Sequence, residues 1–295
     1  MKNLPTRTIL SGIGVGILVL ALLLGGVSLY RWAVTRWGPP PPPPPASLCE
    51  AQIESSRADL SWEQARNASI IAGVAAQRGL VPRAVSIGIT TAFQESGIRN
   101  LDYGDRDSLG IFQQRPSQGW GTEEQIMDPY YATGKFYDVM VTVDDWENAD
   151  IGDVAQEVQR SGFPDAYDQH VATARILASA LSGETPASWS CIVHDSSPAD
   201  PDQLLAQLTR AYGATVWAQI ITPDTVGEPQ TIEITASTEQ VAWSAGAFAQ
   251  SWATQTGVTK VKVGEYEWTA SPTVLAGWVG VPGDAPDPTS VTVTF

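Results

Sequence analysis

Two short stretches of sequence, TAFQESG at residues 91–97 and SLGIFQQRPSQGWG at residues 108–121, decide which fold we expect for this chain. The first predicts the end of a helix, because Pro82 suits a first helical turn and Gly97 suits the residue after the last. The helix carries apolar residues on more than one face, which indicates that it is largely buried. Glu95 is then a carboxylic acid in the last turn of a buried helix. Apolar surroundings and the negative end of the helix dipole both favour its protonated form, so we expect its pKa to be raised.

A carboxylic acid that stays protonated near neutral pH can donate its proton in catalysis. The first stretch also fits a Glu-Ser pair that ends an ordinary solvated helix, and taken alone it does not favour catalysis. The segment from 100 to 120 is rich in Gly, Asp and Ser and has no apolar periodicity. It predicts a long, shaped loop or a small irregular lobe.

The order of these motifs resembles the soluble lytic transglycosylase and goose-type lysozyme families. In those families a helix-ending Glu-Ser is followed by a G-L-M-Q-like element on the opposite lip of a cleft, and here Gly110-Ile111-Phe112-Gln113 takes that position. The stretch GDRDSLGIFQQRPSQGWGT, residues 104–122, also resembles lysozyme-like domains of actinobacterial envelope proteins. The resemblance covers residues 48–192. It implies a mainly α, lysozyme-like domain that cleaves the glycan strands of peptidoglycan.

The resemblance also implies roles for individual residues. Glu95 is the implied general acid, Ser96 supports it, and Gln113 lines the cleft floor near the N-acetylmuramic acid that is cut. Residue chemistry adds further candidates for substrate binding, because amides suit sugar hydroxyls and an indole face can stack on a pyranose ring. These are Gln114, Arg115, Gln118 and Trp120. Each of them also fits a packing or turn role.

The sequence departs from the family pattern in two ways. Transglycosylases carry a later A-Y-N element that steadies the substrate, and the nearest match here is Ala166-Tyr167-Asp168. Tyr167 is therefore a candidate substrate-binding residue. No partner carboxylate is evident: Asp105 and Asp107 are candidates, although an Asp-rich loop is also typical of a turn or a solvated face.

The second carboxylate decides the reaction. A separation of about 5 Å from Glu95 fits a retaining double displacement, and one of about 6.5–9.5 Å fits inversion by water. Without a partner, the acetamide of the substrate assists, and Glu95 returns as a base toward the muramyl O6 hydroxyl, which leaves an anhydro end. The family resemblance favours this last course.

The charge of the chain excludes one class of partner. There are 17 Lys and Arg against 32 Asp and Glu, a net charge of -15. That sign is wrong for a protein that neutralises phosphates, so we expect no nucleic-acid partner. Two cysteines and two histidines are too few for most metal sites, so we expect no metal and no cofactor.

The two cysteines, Cys49 and Cys191, lie near the two ends of the lysozyme-like segment. We favour a disulfide between them, which requires an oxidising, extracytoplasmic compartment. The alternative is a pair of buried free thiols. A cysteine peptidase is disfavoured, because neither cysteine has the helix N-terminus or nearby base that activates a thiol.

The N-terminal region predicts a membrane anchor. Residues 9–30 contain no charge, and a helix of that length covers about 33 Å, enough to cross a bilayer core. We expect residues 1–8 to be cytoplasmic and 31–47 to form a Pro-rich linker, in which Pro39 to Pro45 make a polyproline rod. The predicted location is the cell membrane, single-pass, with an extracytoplasmic body. A cleaved signal peptide is the alternative.

Beyond the lysozyme-like segment the pattern changes. Residues 193–200 predict a linker, and residues 201–295 predict a small α+β domain of unknown role, with an envelope protein or wall polymer as its partner. Its tryptophans are expected in the core rather than on a ligand platform: Trp217, Trp243, Trp252, Trp268 and Trp278.

The sequence is thus compatible with two functions. The first is an enzyme, a lytic transglycosylase or muramidase that acts on peptidoglycan and is held to the membrane by one helix. The alternative is a non-catalytic peptidoglycan-binding or envelope-assembly module on a lysozyme-like fold.

Overall fold

The computed structural model describes residues 22, 23, 25, 26, 48–223, 225, 227–281 and 287–295. The predicted membrane span at 9–30 and the predicted linker at 31–47 lie outside the described residues, apart from residues 22, 23, 25 and 26, which are helical. No helix in the described part of the chain is long and apolar enough to cross a membrane.

Helices and strands both contribute, so the fold is α+β. The described helices are α1 Trp62–Gln77, α2 Pro82–Ser96, α3 Glu123–Ile126, α4 Pro129–Met140, α5 Ile151–Gln159, α6 Asp168–Leu181, α7 Pro201–Tyr212, α8 Glu239–Ser251 and α9 Ala253–Thr256. The described strands are β1 Leu48–Ile53, β2 Ser56–Ser61, β3 Trp189–Cys191, β4 Val216–Ile221, β5 Thr231–Ala236, β6 Lys260–Val263, β7 Tyr266–Thr269, β8 Val279–Gly280 and β9 Ser290–Thr294. Short 3-10 turns lie at Pro116–Gln118, Pro164–Ala166 and Gly213–Thr215.

A three-stranded antiparallel sheet, in the order β2-β1-β3, opens and closes the segment from 48 to 192. The expectation of a helical segment did not include it. Cys49 lies opposite Cys191 in the β1–β3 register, with their Cα atoms 4.0 Å apart, and the two are joined by a disulfide. The predicted disulfide is confirmed, and both cysteines are fully buried.

Helix α2, which carries Glu95, begins and ends at the residues that the sequence predicts, and it follows helix α1. Ser61 and Gln64 form the capping box that opens α1. Pro82 is the first residue of α2, and Gly97 ends that helix in the left-handed conformation, at φ 63°. Helix α2 packs against α6, α5 and α1, so its middle, from Ala84 to Ala92, is buried.

A six-stranded antiparallel sheet, in the order β4-β5-β9-β6-β7-β8, forms most of the C-terminal part. Helix α8 packs against it, and the side chain of Thr238 caps the N-terminus of this helix. Trp243, Trp252 and Trp268 are buried in the core as expected. Trp217 is not, because its side chain points to the open face of β4 and is 59% exposed.

The segment from 48 to 192 and the C-terminal part belong to one compact unit, Pro45–Phe295, with a continuous hydrophobic core. The hydroxyl of Ser244 on α8 donates to the Leu181 carbonyl oxygen at 2.7 Å. Gly183 follows α6 at φ 73°, where an added Cβ would lie 2.1 Å from the Gln240 carbonyl oxygen. The backbone of the predicted linker at 193–200 is also bonded to the C-terminal part, through residues 254, 256 and 271.

Candidate functional site

Glu95 lies in the last turn of α2 and is half-buried. The hydroxyl of Tyr167 donates a hydrogen bond to its Oε1, 2.5 Å away. Burial raises the pKa of the Glu95 carboxyl group, and the hydrogen bond from Tyr167 opposes part of that rise. The site therefore contains a carboxyl group whose pKa is raised by burial and whose orientation is set by a neighbouring phenol.

Tyr167 comes from the 3-10 turn that leads into α6 and is fully buried. Burial, followed by the neighbouring Glu95, raises the pKa of its hydroxyl group far above the ordinary value. The phenol thus remains a hydrogen-bond donor over the whole range in which a carboxyl group titrates. The Ser161 side chain opposes part of this rise in the pKa of Tyr167, so Ser161 lies near the Tyr167 hydroxyl.

Ser96 connects the end of α2 to the second motif. Its Oγ lies 2.8 Å from the Ile111 carbonyl oxygen and 3.2 Å from the Ala92 carbonyl oxygen. The same oxygen accepts a hydrogen bond from the Arg99 amide at 3.1 Å. Ser96 therefore holds the 108–121 loop against the helix that carries Glu95, and its contacts run to backbone rather than to the carboxyl group.

The two adjacent glutamines of the loop have different surroundings. Gln113 is half-buried, and its Nε2 lies 3.3 Å from the carbonyl oxygens of both Tyr103 and Gly110, so its amide braces the loop. Gln114 is only 1% exposed, and its Nε2 donates to the Ala132 carbonyl oxygen at 3.0 Å. The side chain of Gln114 points into the protein and offers no surface to a sugar.

The candidate second carboxylates are also distinct. Asp107 receives hydrogen bonds from the Ser117 amide and from the Arg115 guanidinium, each 2.8 Å long. These bonds hold the pKa of Asp107 well below its usual range. Asp107 is thus an ion-paired brace of the loop. The Asp105 side chain is 92% exposed and lies 3.9 Å from Arg106.

The segment that follows α5 contributes groups that the sequence analysis missed. Gln159 donates from Nε2 to the Phe112 carbonyl oxygen at 2.7 Å, and Ser161 lies near the Tyr167 hydroxyl. A helix end and a serine carry no local signal of such a role, because the contacts depend on where α5 meets the 108–121 loop. Only the A-Y-D sequence around Tyr167 pointed to this region.

A second set of contacts ties α2 to α6 beside Glu95. The His170 ring stacks on Phe93, with ring centroids 5.4 Å apart, and its Nε2 lies 3.2 Å from Oε1 of Gln94. Gln169 donates to the same Gln94 oxygen at 3.2 Å. Burial lowers the pKa of His170. These contacts fix the turn from which Tyr167 reaches Glu95.

Three non-glycine residues around the site hold a left-handed backbone: Ile98 at φ 57°, Gln113 at φ 48° and Arg160 at φ 52°. Ile98 is β-branched and fully buried, and this conformation is rare for such a residue. Its carbonyl oxygen accepts from the buried Asn67 amide at 2.8 Å. Strain of this kind persists only where the surroundings enforce it, and it clusters at functional sites.

Trp120 is half-buried on the wall of a polar cavity of about 550 Å³, beside Gln118 and Gln159. Within the described ranges, no group of three or more His, Cys, Asp and Glu side chains is arranged to hold a metal ion. Comparison of the chain with protein-family models and with curated protein sequences gave no match.

Proposed function

We propose that this chain is a membrane-anchored, extracytoplasmic enzyme that cleaves the glycan strands of peptidoglycan, with Glu95 as its general acid on a lysozyme-like fold. The observation that carries the proposal is the Glu95 carboxyl group, half-buried at the end of α2, with a raised pKa and a hydrogen bond from Tyr167. A carboxyl group with a raised pKa keeps its proton to higher pH than an exposed one, which suits a general acid that protonates a glycosidic oxygen. The strained backbone around it supports the same assignment.

The proposed reaction begins when Glu95 donates its proton to the oxygen that links N-acetylmuramic acid to the next sugar. The bond from the muramyl C1 to that oxygen breaks, and the next sugar leaves with a free 4-hydroxyl. Asp107 is occupied by Arg115 and Ser117, and Asp105 lies in solvent. The acetamide oxygen of the substrate therefore attacks C1 in place of a protein carboxylate.

Glu95, now ionised, completes the cycle as a base. It takes the proton from the muramyl O6 hydroxyl while O6 attacks C1 and displaces the acetamide oxygen. The product is a 1,6-anhydro end, and Glu95 is again protonated. Attack by water at the same stage would give a reducing end, so the two products distinguish a lytic transglycosylase from a muramidase.

The disulfide supports the proposed extracytoplasmic compartment. Cys49 and Cys191 are bonded, and structural disulfides persist outside the reducing cytoplasm. The uncharged run at 9–30 would hold the body at the outer face of the membrane, where peptidoglycan lies.

The direct test is digestion of purified sacculi by the full-length protein in a mild detergent. We expect soluble muropeptides with 1,6-anhydro ends, identified by mass spectrometry, where each anhydro end is one water lighter than a reducing end. If only reducing ends are released, the protein is still a glycan-cleaving enzyme, but its reaction is hydrolysis rather than transglycosylation. If no muropeptide is released, the proposed activity is wrong.

Replacing Tyr167 with phenylalanine tests the hydrogen bond to Glu95. That bond favours the ionised carboxylate, so its loss should raise the pKa of Glu95 further. A general acid works when protonated, and the alkaline limb of the pH profile of kcat/KM should therefore move to higher pH. We expect the rate at the optimum to fall about tenfold, the usual scale for one hydrogen bond to a charged group.

The matched control for this substitution is Tyr130→Phe, which removes a phenol from α4 that donates to Gln207 at 2.7 Å, outside the Glu95 network. Its pH profile should keep the wild-type midpoint. An alkaline limb that stays in place or moves to lower pH in Tyr167→Phe would contradict the role assigned to this bond.

Replacing Ser96 with alanine tests the connection between α2 and the loop. The variant loses the contact to the Ile111 carbonyl oxygen and the bond from the Arg99 amide. We expect the free energy of unfolding to fall by about 1–2 kcal/mol and kcat to fall about tenfold, since small displacements in an active site are costly. Urea unfolding and initial rates measure the two effects.

Ser86→Ala is the control, because Ser86 bonds the Pro82 carbonyl oxygen at the opposite end of the same helix. It should leave kcat within about twofold of wild type, as for a change away from the reacting groups. Equal kcat in Ser96→Ala and wild type would show that Ser96 does not position the loop for catalysis.

A further inference from the structure

The polar cavity beside the candidate site collects positive charge in an acidic chain. Its volume is about 550 Å³, and its lining includes Gln118, Trp120, Lys135, Asp138, Gln159 and Arg160. The 108–121 loop, helix α4 and the end of α5 each contribute a wall. A cavity of this size is in the range that holds a small ligand.

The one acid among these residues is already paired. Asp138 accepts a 2.8 Å ion pair from Arg78, which leaves Lys135 at a looser 3.8 Å. Arg160 makes no ion pair with another residue of the described chain. Among the lining residues, Lys135 and Arg160 against Asp138 give a charge of +1 (two cations less one anion), in a protein whose net charge is -15. A concave site of one sign concentrates ligands of the opposite sign.

Arg160 occupies a backbone position that suits glycine or asparagine. It ends α5 in the left-handed conformation at φ 52°, with its amide bonded to the Gln156 carbonyl oxygen at 2.7 Å. An arginine there carries backbone strain, which costs stability. Its guanidinium group is exposed on the cavity wall, where it is free to bind a carboxylate through two parallel hydrogen bonds.

The cavity adjoins the Glu95 network through consecutive residues. Gln159 and Arg160 line the cavity, and Ser161, next in the chain, lies near the Tyr167 hydroxyl that donates to Glu95. Gln159 also bonds the Phe112 carbonyl oxygen, in the loop that Ser96 holds against α2. A ligand in the cavity would therefore lie against the same backbone segments that fix the proposed general acid.

We propose that this cavity is a subsite for an acidic sugar unit of the glycan strand. The sugar ring stacks on Trp120, and a carboxylate attached to that sugar binds between Arg160 and Lys135. This inference rests on the function proposed above and adds the requirement for an acid group to the substrate. The carboxylate has two possible sources, the lactyl ether of a muramyl unit without a peptide or the peptide stem of an intact unit.

Calorimetry with the full-length Glu95→Gln protein tests the subsite without consuming the ligand. Three soluble muramyl oligosaccharides are compared: one with intact peptide stems, one with the stems removed to expose the lactyl carboxylates, and one with stems whose carboxylates are converted to methylamides. We expect Arg160→Asn to weaken binding of the acidic ligand about tenfold, the scale of one lost charge-assisted hydrogen bond. Asparagine tolerates the left-handed backbone, so this change removes the charge without added strain.

The methylamide ligand should bind about tenfold more weakly than the acid and should not respond to Arg160→Asn. Dependence on Arg160 in the stem-free ligand assigns the carboxylate to the lactyl group, and dependence only with stems assigns it to the peptide. Arg160→Lys keeps the charge but cannot form the two parallel bonds, so it should restore only part of the affinity. Arg175→Gln, an exposed arginine of α6 outside the cavity lining, should leave affinity unchanged.

Equal binding of acid and amide ligands, or binding that ignores Arg160, overturns the subsite. If none of the three ligands binds, the proposed subsite is also wrong. Release of muropeptides by wild-type protein is measured separately and reports on the proposed function. If the protein cleaves sacculi but binds the ligands equally well with and without Arg160, the proposed function stands and the subsite is wrong. If binding depends on Arg160 but no cleavage is seen, the subsite stands and the proposed enzyme activity is wrong.

Discussion

Muropeptide release by the Glu95→Gln variant is expected to be about a thousandfold slower than by the wild-type protein, within the range that a general acid contributes. Glutamine matches the size of glutamate, and its carbonyl oxygen can still accept the 2.5 Å hydrogen bond from Tyr167. The variant therefore keeps the local structure and loses only the transferable proton. Initial rates on purified sacculi, at the pH optimum of the wild-type protein, measure the loss.

The control is Glu157→Gln, an exposed carboxylate on α5, which should leave the rate unchanged. If Glu95→Gln and wild type release muropeptides equally fast, Glu95 is not the general acid. If neither protein releases any while both bind the strands, the chain is a non-catalytic module on the same fold. The comparison thus separates the two functions that the sequence left open.

The sequence predicted the helix that carries Glu95 because its boundary signals are local. Pro82 begins α2 and Gly97 ends it, and each acts through its own backbone preference. Strand β1 was missed for the opposite reason. Its buried positions are Cys49 and Ala51, which are small rather than β-branched and give a weak strand signal. One of its partners, β3, lies at the far end of the segment.

The site residues also differ in whether their contacts depend on neighbours in sequence or on distant segments. Glu95 and Ser96 are adjacent in sequence and were found together, whereas Ser161 lies near Tyr167 only because the turn after α5 passes that residue. Sequence could not separate Gln113 from Gln114. The left-handed backbone at Gln113, φ 48°, directs the side chain of Gln113 toward the loop and that of Gln114 into the core. Two adjacent glutamines give no sequence signal of this difference.

Removing the disulfide should cause the largest loss of stability. Cys49 and Cys191 are separated by 142 positions. In the chain-entropy model, closing a loop of that length lowers the entropy of the unfolded chain and so raises the free energy of unfolding by about 5 kcal/mol. We expect the paired variant Cys49→Ala/Cys191→Ala to lose about 3–5 kcal/mol, since measured values tend to fall below that model. The melting temperature should drop by about 10 °C, at roughly 2–4 °C per kcal/mol for a chain of this size.

Differential scanning calorimetry of both proteins, with and without reductant, isolates the bond from the packing of its sulfur atoms. Both cysteines are fully buried, so alanine also removes some van der Waals contact, and that part of the loss persists under reducing conditions. Reductant should lower the melting temperature of the wild-type protein toward that of the variant and leave the variant unaffected. Strand β1 depends on the bond directly, because Cys49 pairs with Cys191 in the β1–β3 register. A wild-type melting temperature that matches the variant before reduction would mean that the β1–β3 ladder and the core hold this strand without the disulfide.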